Sequence, residues 1–150
     1  MNHSVIPSNR VVVTGMGVIT PVGNSLEEFW KNLKDGVSGI DRVSRFDPSP
    51  FSTQIVGEVK GFDVSQYMER KEVRRMDLTQ QYALACAQQA FDQSGLGSDS
   101  PNPERAGVVV GSGIGGIETF EKQHAILLNQ GANRVSPFFI PMMIIDMCAG

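Results

Sequence analysis

An α/β fold is what this chain predicts, and three observations predict it. Two β-branched runs, Arg10–Gly17 and Arg105–Gly111, each carry three consecutive valines into a glycine-rich turn. Each turn is followed by a segment with a helix start signal and helical spacing of apolar residues. With 41% hydrophobic residues, 19% charged residues and 16 glycines in 150, the composition is that of a globular protein with many strand-to-helix turns.

Taken in order, Arg10–Gly17 reads as a buried strand, parallel to the one at 105–111. A loop at Thr20, Pro21 and Gly23 follows. Ser25 and Glu28 then have the spacing of a capping box, Leu26, Phe29, Trp30 and Leu33 fall on one helical face, and Gly36 supplies a stop. Residues 37–53, rich in Ser, Gly, Asp and Pro, show no period and read as an irregular surface excursion. Gln54–Lys60 has a β-branched core broken by Gly57 and reads as a short strand with room for a bulge.

Tyr67–Arg75 places Arg70, Lys71, Arg74 and Arg75 on roughly one side of a helix turn and is the densest positive stretch in the chain. It is either a solvated face softened by Glu69 and Glu72 or a dock for an acidic partner. Asp77 and Gln80 repeat the capping-box spacing, and the Ala-rich run Leu78–Ser94, closed by Gly95, is the strongest helical stretch. Its alanines at 83, 85, 87 and 90 predict close packing against a sheet or another helix. A polar loop over 96–104, the strand at 105–111 and a helix over Ile117–Gln130, stopped by Gly131, come next. The apolar tail from Ser136 to Gly150 is punctuated by Pro137 and Pro141, with a helix expected from Pro141.

Several function classes are excluded at this level. No apolar run approaches the roughly 18 residues of a membrane span, and residues 1–10 lack the layout of a secretory signal, so a cytoplasmic protein is expected. Cys86 and Cys148 have no metal-type spacing and fit a reducing compartment; Cys86, inside an apolar helix, reads as a core residue. His124 has no second ligand at metal spacing beyond Glu121 and reads as a surface or interface histidine. A net charge of -3 leaves nucleic-acid binding without support, so any anionic partner must meet a local patch.

Gly111, Gly113 and Gly116 match the dinucleotide fingerprint Gly-x-Gly-x-x-Gly. Such a site needs an acidic residue about 20 positions further on, at the end of a strand, to hold the ribose hydroxyls. That region holds Arg134, Val135, Ser136, Pro137 and Phe138 instead, so the glycines call for another explanation and no cofactor is expected.

The motifs supply one. Val-Val-Val-Thr-Gly-Met-Gly-Val-Ile-Thr-Pro-Val-Gly at 11–23, Phe-Trp at 29–30, Gly-Val-Ser-Gly-Ile at 36–40, Arg-Arg-Met-Asp at 74–77, Gly-Val-Val-Val-Gly-Ser-Gly-Ile-Gly-Gly at 107–116 and Ser-Pro-Phe-Phe-Ile-Pro at 136–141 run through the chain in order. Together they resemble the N-terminal part of the elongating β-ketoacyl-[acyl carrier protein] synthases, of the synthase II type, in the thiolase-fold superfamily. The resemblance implies a thiolase-like layered fold, here an incomplete half with a mixed sheet and packed helices. It implies an acyltransferase of fatty acid biosynthesis that performs a decarboxylative Claisen condensation, with acyl carrier protein as partner and a homodimer as the working form.

In that chemistry a cysteine thiolate takes the acyl chain, backbone amides hold the oxyanion and histidines stabilise the enolate. The family's cysteine sits in a Thr-Ala-Cys motif, which is absent from these residues, and neither His3 nor His124 stands in a family histidine motif. No catalytic residue is therefore carried over, and the segment by itself is expected to be inactive, poorly stable and part of a longer polypeptide. Other roles do carry over. Gly113 and Ile114 match the acyl-pocket gate, Phe139 matches a phenylalanine reaching the partner subunit's pocket, and Lys71, Arg74, Arg75 and Arg134 match the basic face for the carrier protein. Asn133 stands where the family has a further charge. The alternatives are a non-catalytic carrier-binding or chain-length-factor-like paralogue and, less in keeping with the motifs, a dinucleotide-binding domain.

Overall fold

Ser25 starts the first helix as its spacing predicts. In the computed structural model, which describes residues 10–97 and 102–150, Ser25 Oγ accepts from the Glu28 N–H (3.2 Å) and α1 runs Leu26–Lys34. The return bond differs from the predicted box: Glu28 Oε2 accepts from the N–H of Asn24, one residue earlier, at 2.8 Å. Gly36, at φ +68°, lies just beyond the helix end, a left-handed conformation that suits glycine.

Residues 37–53 hold more order than their composition shows. Within them β1, Ile40–Arg42, pairs antiparallel with β2, Ile55–Gly57, in the register Ile40 to Gly57, Asp41 to Val56 and Arg42 to Ile55. An ion pair from Lys60 to Asp41 (2.7 Å) and a bond from the Ser44 hydroxyl to Glu58 (2.5 Å) close the hairpin on either side. These long-range side-chain bonds leave no periodicity in the sequence, so the segment reads as irregular there.

The basic stretch forms a single helical turn, α2, Arg70–Val73. Glu72, read from the sequence as a softening charge, accepts from the Glu69 N–H (3.2 Å) and caps the turn. Then α3 spans Leu78–Ser94, capped by Asp77 and closed by Gly95 at φ +69°, and α4 spans Ile117–Gln130, both as predicted. The tail helix α5 is Phe139–Met143, two residues earlier than its proline signals. Pro141 fits because the N–H groups of a first helical turn have no intrahelical acceptor.

The valine runs depart from prediction. Neither 10–17 nor 105–111 is a strand, and their side chains face out, Val11 at 92% and Val109 at 98% exposure. A strand forms when a neighbour accepts its ladder, and no strand pairs with either run among the described residues. The first run packs on α3 instead. A Cβ at Gly15 would fall on the Ala90 carbonyl and one at Gly17 on the Cys86 carbonyl, so glycine alone allows the contact. Two extended residues advance about 6.6 Å and four helical ones about 6 Å, which is why positions two apart meet positions four apart. In the same register Gln93 accepts from Met16 N–H (2.7 Å) and Gln89 from Val18 N–H (2.9 Å). The Gln89 amide also donates to Asn24 O and Tyr67 Oη, both at 2.8 Å, tying the segment, the loop before α1 and the approach to α2 to one helix. Of the alanines of α3, Ala90 offers its carbonyl to the segment, Ala85 is fully buried and Ala87 is exposed.

Candidate functional site

The glycine loop is built against α5. Gly115 takes φ +79°, and a Cβ there would stand 2.9 Å from the Met143 carbonyl oxygen. A Cβ at Gly116 would meet the Met142 carbonyl and Met143 Cα. The Gly116 N–H donates to Met143 O (2.9 Å) and the Gly115 N–H to Ser112 Oγ (3.1 Å). A dinucleotide site needs such N–H groups turned outward to phosphate oxygens, whereas these two are engaged within the chain. Gly111 and Gly113 have open space at their Cβ positions and φ outside the left-handed region.

Beyond the loop lies an open groove of about 450 Å³ lined by Ile114, Ile117, Phe120 and Met143–Asp146. Ile114 is 75% exposed at its edge. Phe139, half-buried at the start of α5, has its ring 6.2 Å from that of Phe120. Ile114 and Phe139, distant in sequence, are thereby both brought to the Phe120 neighbourhood. His124, which is exposed, stacks on Phe120 with ring centroids 6.0 Å apart.

The groove is fixed by a polar network that only half shows in the sequence. Asp77 is buried at the start of α3; its carboxylate accepts from Thr79 N–H (2.9 Å) and from the Thr119 hydroxyl on α4 (2.5 Å). Burial is the largest influence on this carboxyl and opposes its ionisation, yet the bonds from Thr119 and Thr79 together hold its pKa below the ordinary value. Gln80 accepts from Asp77 N–H (2.9 Å) and donates to Pro141 O (2.7 Å), and Thr79 Oγ1 donates to Gly115 O (3.2 Å). One helix start therefore sets the glycine loop, α4 and α5 in place. The capping-box spacing of Asp77 and Gln80 is visible in the sequence; the contribution of Thr119, 42 residues on, is not.

Neither thiol is activated. Burial raises the pKa of Cys86 against a small opposing bond from the Ile19 backbone. Burial also raises that of Cys148, helped by the nearby negative charge of Asp77. Lys71, Arg74, Arg75 and Arg134 are all exposed, and the ion pairs among the described residues involve Lys31, Arg45, Lys60 and Lys122 instead. Arg75 lies over the ring of Phe138, 4.8 Å from its centroid, so the basic stretch reaches the segment that leads into α5. His3 lies outside the described residues. No group of three or more metal-ligating side chains occurs among the described residues, and no helix among them is long and apolar enough to cross a membrane.

Residues 8–150 match the family described as Beta-ketoacyl synthase, N-terminal domain. The chain is 51% identical over 141 residues to the 3-oxoacyl-[acyl-carrier-protein] synthase 2 of Vibrio cholerae, covering 94% of this chain and 34% of that protein. To the protein of the same name from Staphylococcus aureus strain COL it is 46% identical over 143 residues, covering 95% and 34%. The chain thus spans about a third of the length of these curated relatives, the 34% just given. Among solved structures it is similar to the ishigamide ketosynthase/chain length factor, with a TM-score of 0.80 at 28% identity over 91% of this chain and 34% of that one. A β-ketoacyl synthase from Burkholderia phymatum gives 0.74 at 27% identity over 93% and 35%. These likenesses bear out the α/β ketosynthase fold, of which the β1–β2 hairpin is the sheet formed among the described residues. With residues 8–150 matching that family's N-terminal domain, this chain belongs to the β-ketoacyl synthases.

Proposed function

We propose that this chain supplies the acyl-pocket wall and the carrier-docking face of an elongating condensing enzyme working in the cytoplasm. The reaction is a decarboxylative Claisen condensation between an enzyme-held acyl chain and malonyl-acyl carrier protein. Its nucleophilic cysteine and histidines come from motifs that these residues do not contain, so the chain's own part is to bind and orient. The observation that carries this reading is Ile114: exposed on a loop whose glycines lock onto α5, it stands at the edge of an apolar groove, where one side chain can admit or limit an acyl tail. Gly113, with open space beside it, leaves that side chain room to swing. Phe139, beside Phe120, is placed to meet a second protomer in a homodimer, and Lys71, Arg74, Arg75 and Arg134, without an ion-pair partner among the described residues, present positive charge to an acidic carrier protein.

Acyl-chain profiling of protein made from the complete reading frame tests this. Ile114→Phe should lower turnover of long acyl chains at least tenfold relative to short ones, about 1.4 kcal/mol in the barrier. An unchanged profile removes Ile114 from the pocket. A second reading, a non-catalytic chain-length-determining partner, is favoured by the ketosynthase/chain length factor among the similar structures. It prevails if the reading frame lacks Thr-Ala-Cys and the later histidine motifs.

A further inference from the structure

Arg75 stands between the basic stretch and the groove. Its guanidinium carbon is 4.8 Å from the centroid of the Phe138 ring, and no carboxylate among the described residues pairs with it. Phe138 precedes α5: its N–H donates to Ser136 Oγ (3.1 Å) and its carbonyl accepts from Met142 N–H (3.0 Å). The next residue, Phe139, has its ring beside that of Phe120, which lines the groove. A continuous line of contacts therefore runs Arg75, Phe138, Phe139, Phe120. Downstream, α5 is pinned through Pro141 O to Gln80 and Met143 O to Gly116. Upstream, Ser136 N–H is held by Gln123 Oε1 at 2.7 Å. Residues 138–140 are also framed by backbone bonds, Phe139 N–H to Ser136 O (3.0 Å), Met142 N–H to Phe138 O (3.0 Å) and Ile144 N–H to Ile140 O (3.1 Å), and the Arg75 contact adds to this frame at the Phe138 side chain.

A guanidinium can use its face and its edge at once. The face attracts an aromatic ring, while the in-plane N–H groups form a fork that matches a carboxylate. We propose that Arg75 is a positioning residue that couples docking to the acyl groove: its face holds Phe138 while its edge receives a carboxylate of the acidic carrier protein, so that docking orders the segment carrying Phe139. The inference rests on the reading above, in which the groove takes an acyl chain and the basic stretch takes its carrier. It adds that one of the docking residues also reports docking to the groove. Arg74, with no aromatic contact of this kind among the described residues, has the docking role alone.

Amide hydrogen exchange over residues 136–144, in protein made from the complete reading frame, with and without saturating acyl carrier protein, tests the coupling. Without carrier, Arg75→Gln should exchange about two- to fivefold faster than wild type in this segment, the size of a surface cation–aromatic contact. Arg75→Lys, which keeps the cation, should recover most of the protection, and Arg74→Gln should exchange at the wild-type rate. Phe138→Leu should match Arg75→Gln, and the double variant should go no further, since both remove one contact. With carrier, the segment should slow in wild type and Arg74→Gln but not in Arg75→Gln or Phe138→Leu. Unchanged exchange in Arg75→Gln, equal loss in Arg75→Lys, or additive effects of Arg75→Gln and Phe138→Leu would each overturn the inference. Carrier protein that binds wild type without slowing these amides also overturns it, leaving the docking role intact. Carrier protein that does not bind at all removes the docking role and the coupling with it.

Discussion

Replacing Asp77 by alanine takes the acceptor away from two donors, the Thr79 N–H and the Thr119 hydroxyl, and leaves the latter buried without a partner. Loss of a helix cap alone costs about 0.5–2 kcal/mol, and an unsatisfied buried hydroxyl adds about 1–3 kcal/mol. The same carboxylate predicts a pH dependence. Its pKa is lowered in the folded chain, so the stability it contributes is complete above the unfolded carboxyl's pKa and is lost as pH falls through the folded value. In protein made from the complete reading frame, denaturant midpoints of wild type should therefore fall on acidification below the ordinary carboxylate range, and Asp77→Asn, already lower at neutral pH, should show a flatter fall. Equal slopes would assign the acid sensitivity to other groups. At this scale the sequence is informative where a motif is local: Asp77 with Gln80 and Ser25 with Glu28 are legible, because a cap and its acceptor lie within one helical turn. Thr119 with Asp77 and Arg75 with Phe138 are not, since only the fold brings them together.

Among the elements, the contact between the segment at 15–18 and α3 is the most exacting. Gly17→Ala puts a methyl group onto the Cys86 carbonyl, and Cβ contacts with backbone cannot be relieved by a rotamer change. The expected loss is about 1–3 kcal/mol, as for other overpacked sites, whereas Gly61→Ala, with open space around its Cβ, should show only the smaller strain of its φ of +66°. Thermal midpoints of the two variants in protein made from the complete reading frame compare these directly; a smaller drop for Gly17→Ala would mean that the segment shifts to accommodate the methyl. The helices were readable because periodicity and caps agree. The valine runs read as strands but do not form them within this chain, because a β-branched run states a preference for pairing and not the presence of a partner. Only half of the β1–β2 hairpin shows in the sequence, since Ile40–Arg42 is too short to show alternation. Part of the groove was legible through the family motifs, which mark Ile114 and Phe139, while its far wall at Met143–Ile145 follows from α5 folding back on the glycine loop.

For the whole molecule, exposed area is the telling quantity. The accessible surface is 11744 Å² for 16.3 kDa, against roughly 7,500 Å² for a compact folded monomer of that mass. Val11–Val13, Trp30, Val108, Val109 and Leu128 all contribute exposed apolar area, and Ala85 is the one fully buried apolar side chain among the described residues. The isolated 150 residues should accordingly melt broadly and bind an apolar dye at room temperature. A sharp, reversible calorimetric transition would show that this surface is covered, by self-association or otherwise. The two-against-four match of the extended segment to α3 has a further consequence, for where this chain can change length. A residue inserted or removed between Gly15 and Val18 throws both glycines and both glutamine bonds out of step together, so the segment behaves as a toothed rack and its length is fixed. Gly36, Gly61 and Gly131 stand in open turns with no atom near their Cβ positions. Those three turns are where a label, a linker or a lineage-specific insertion can enter without disturbing the gearing.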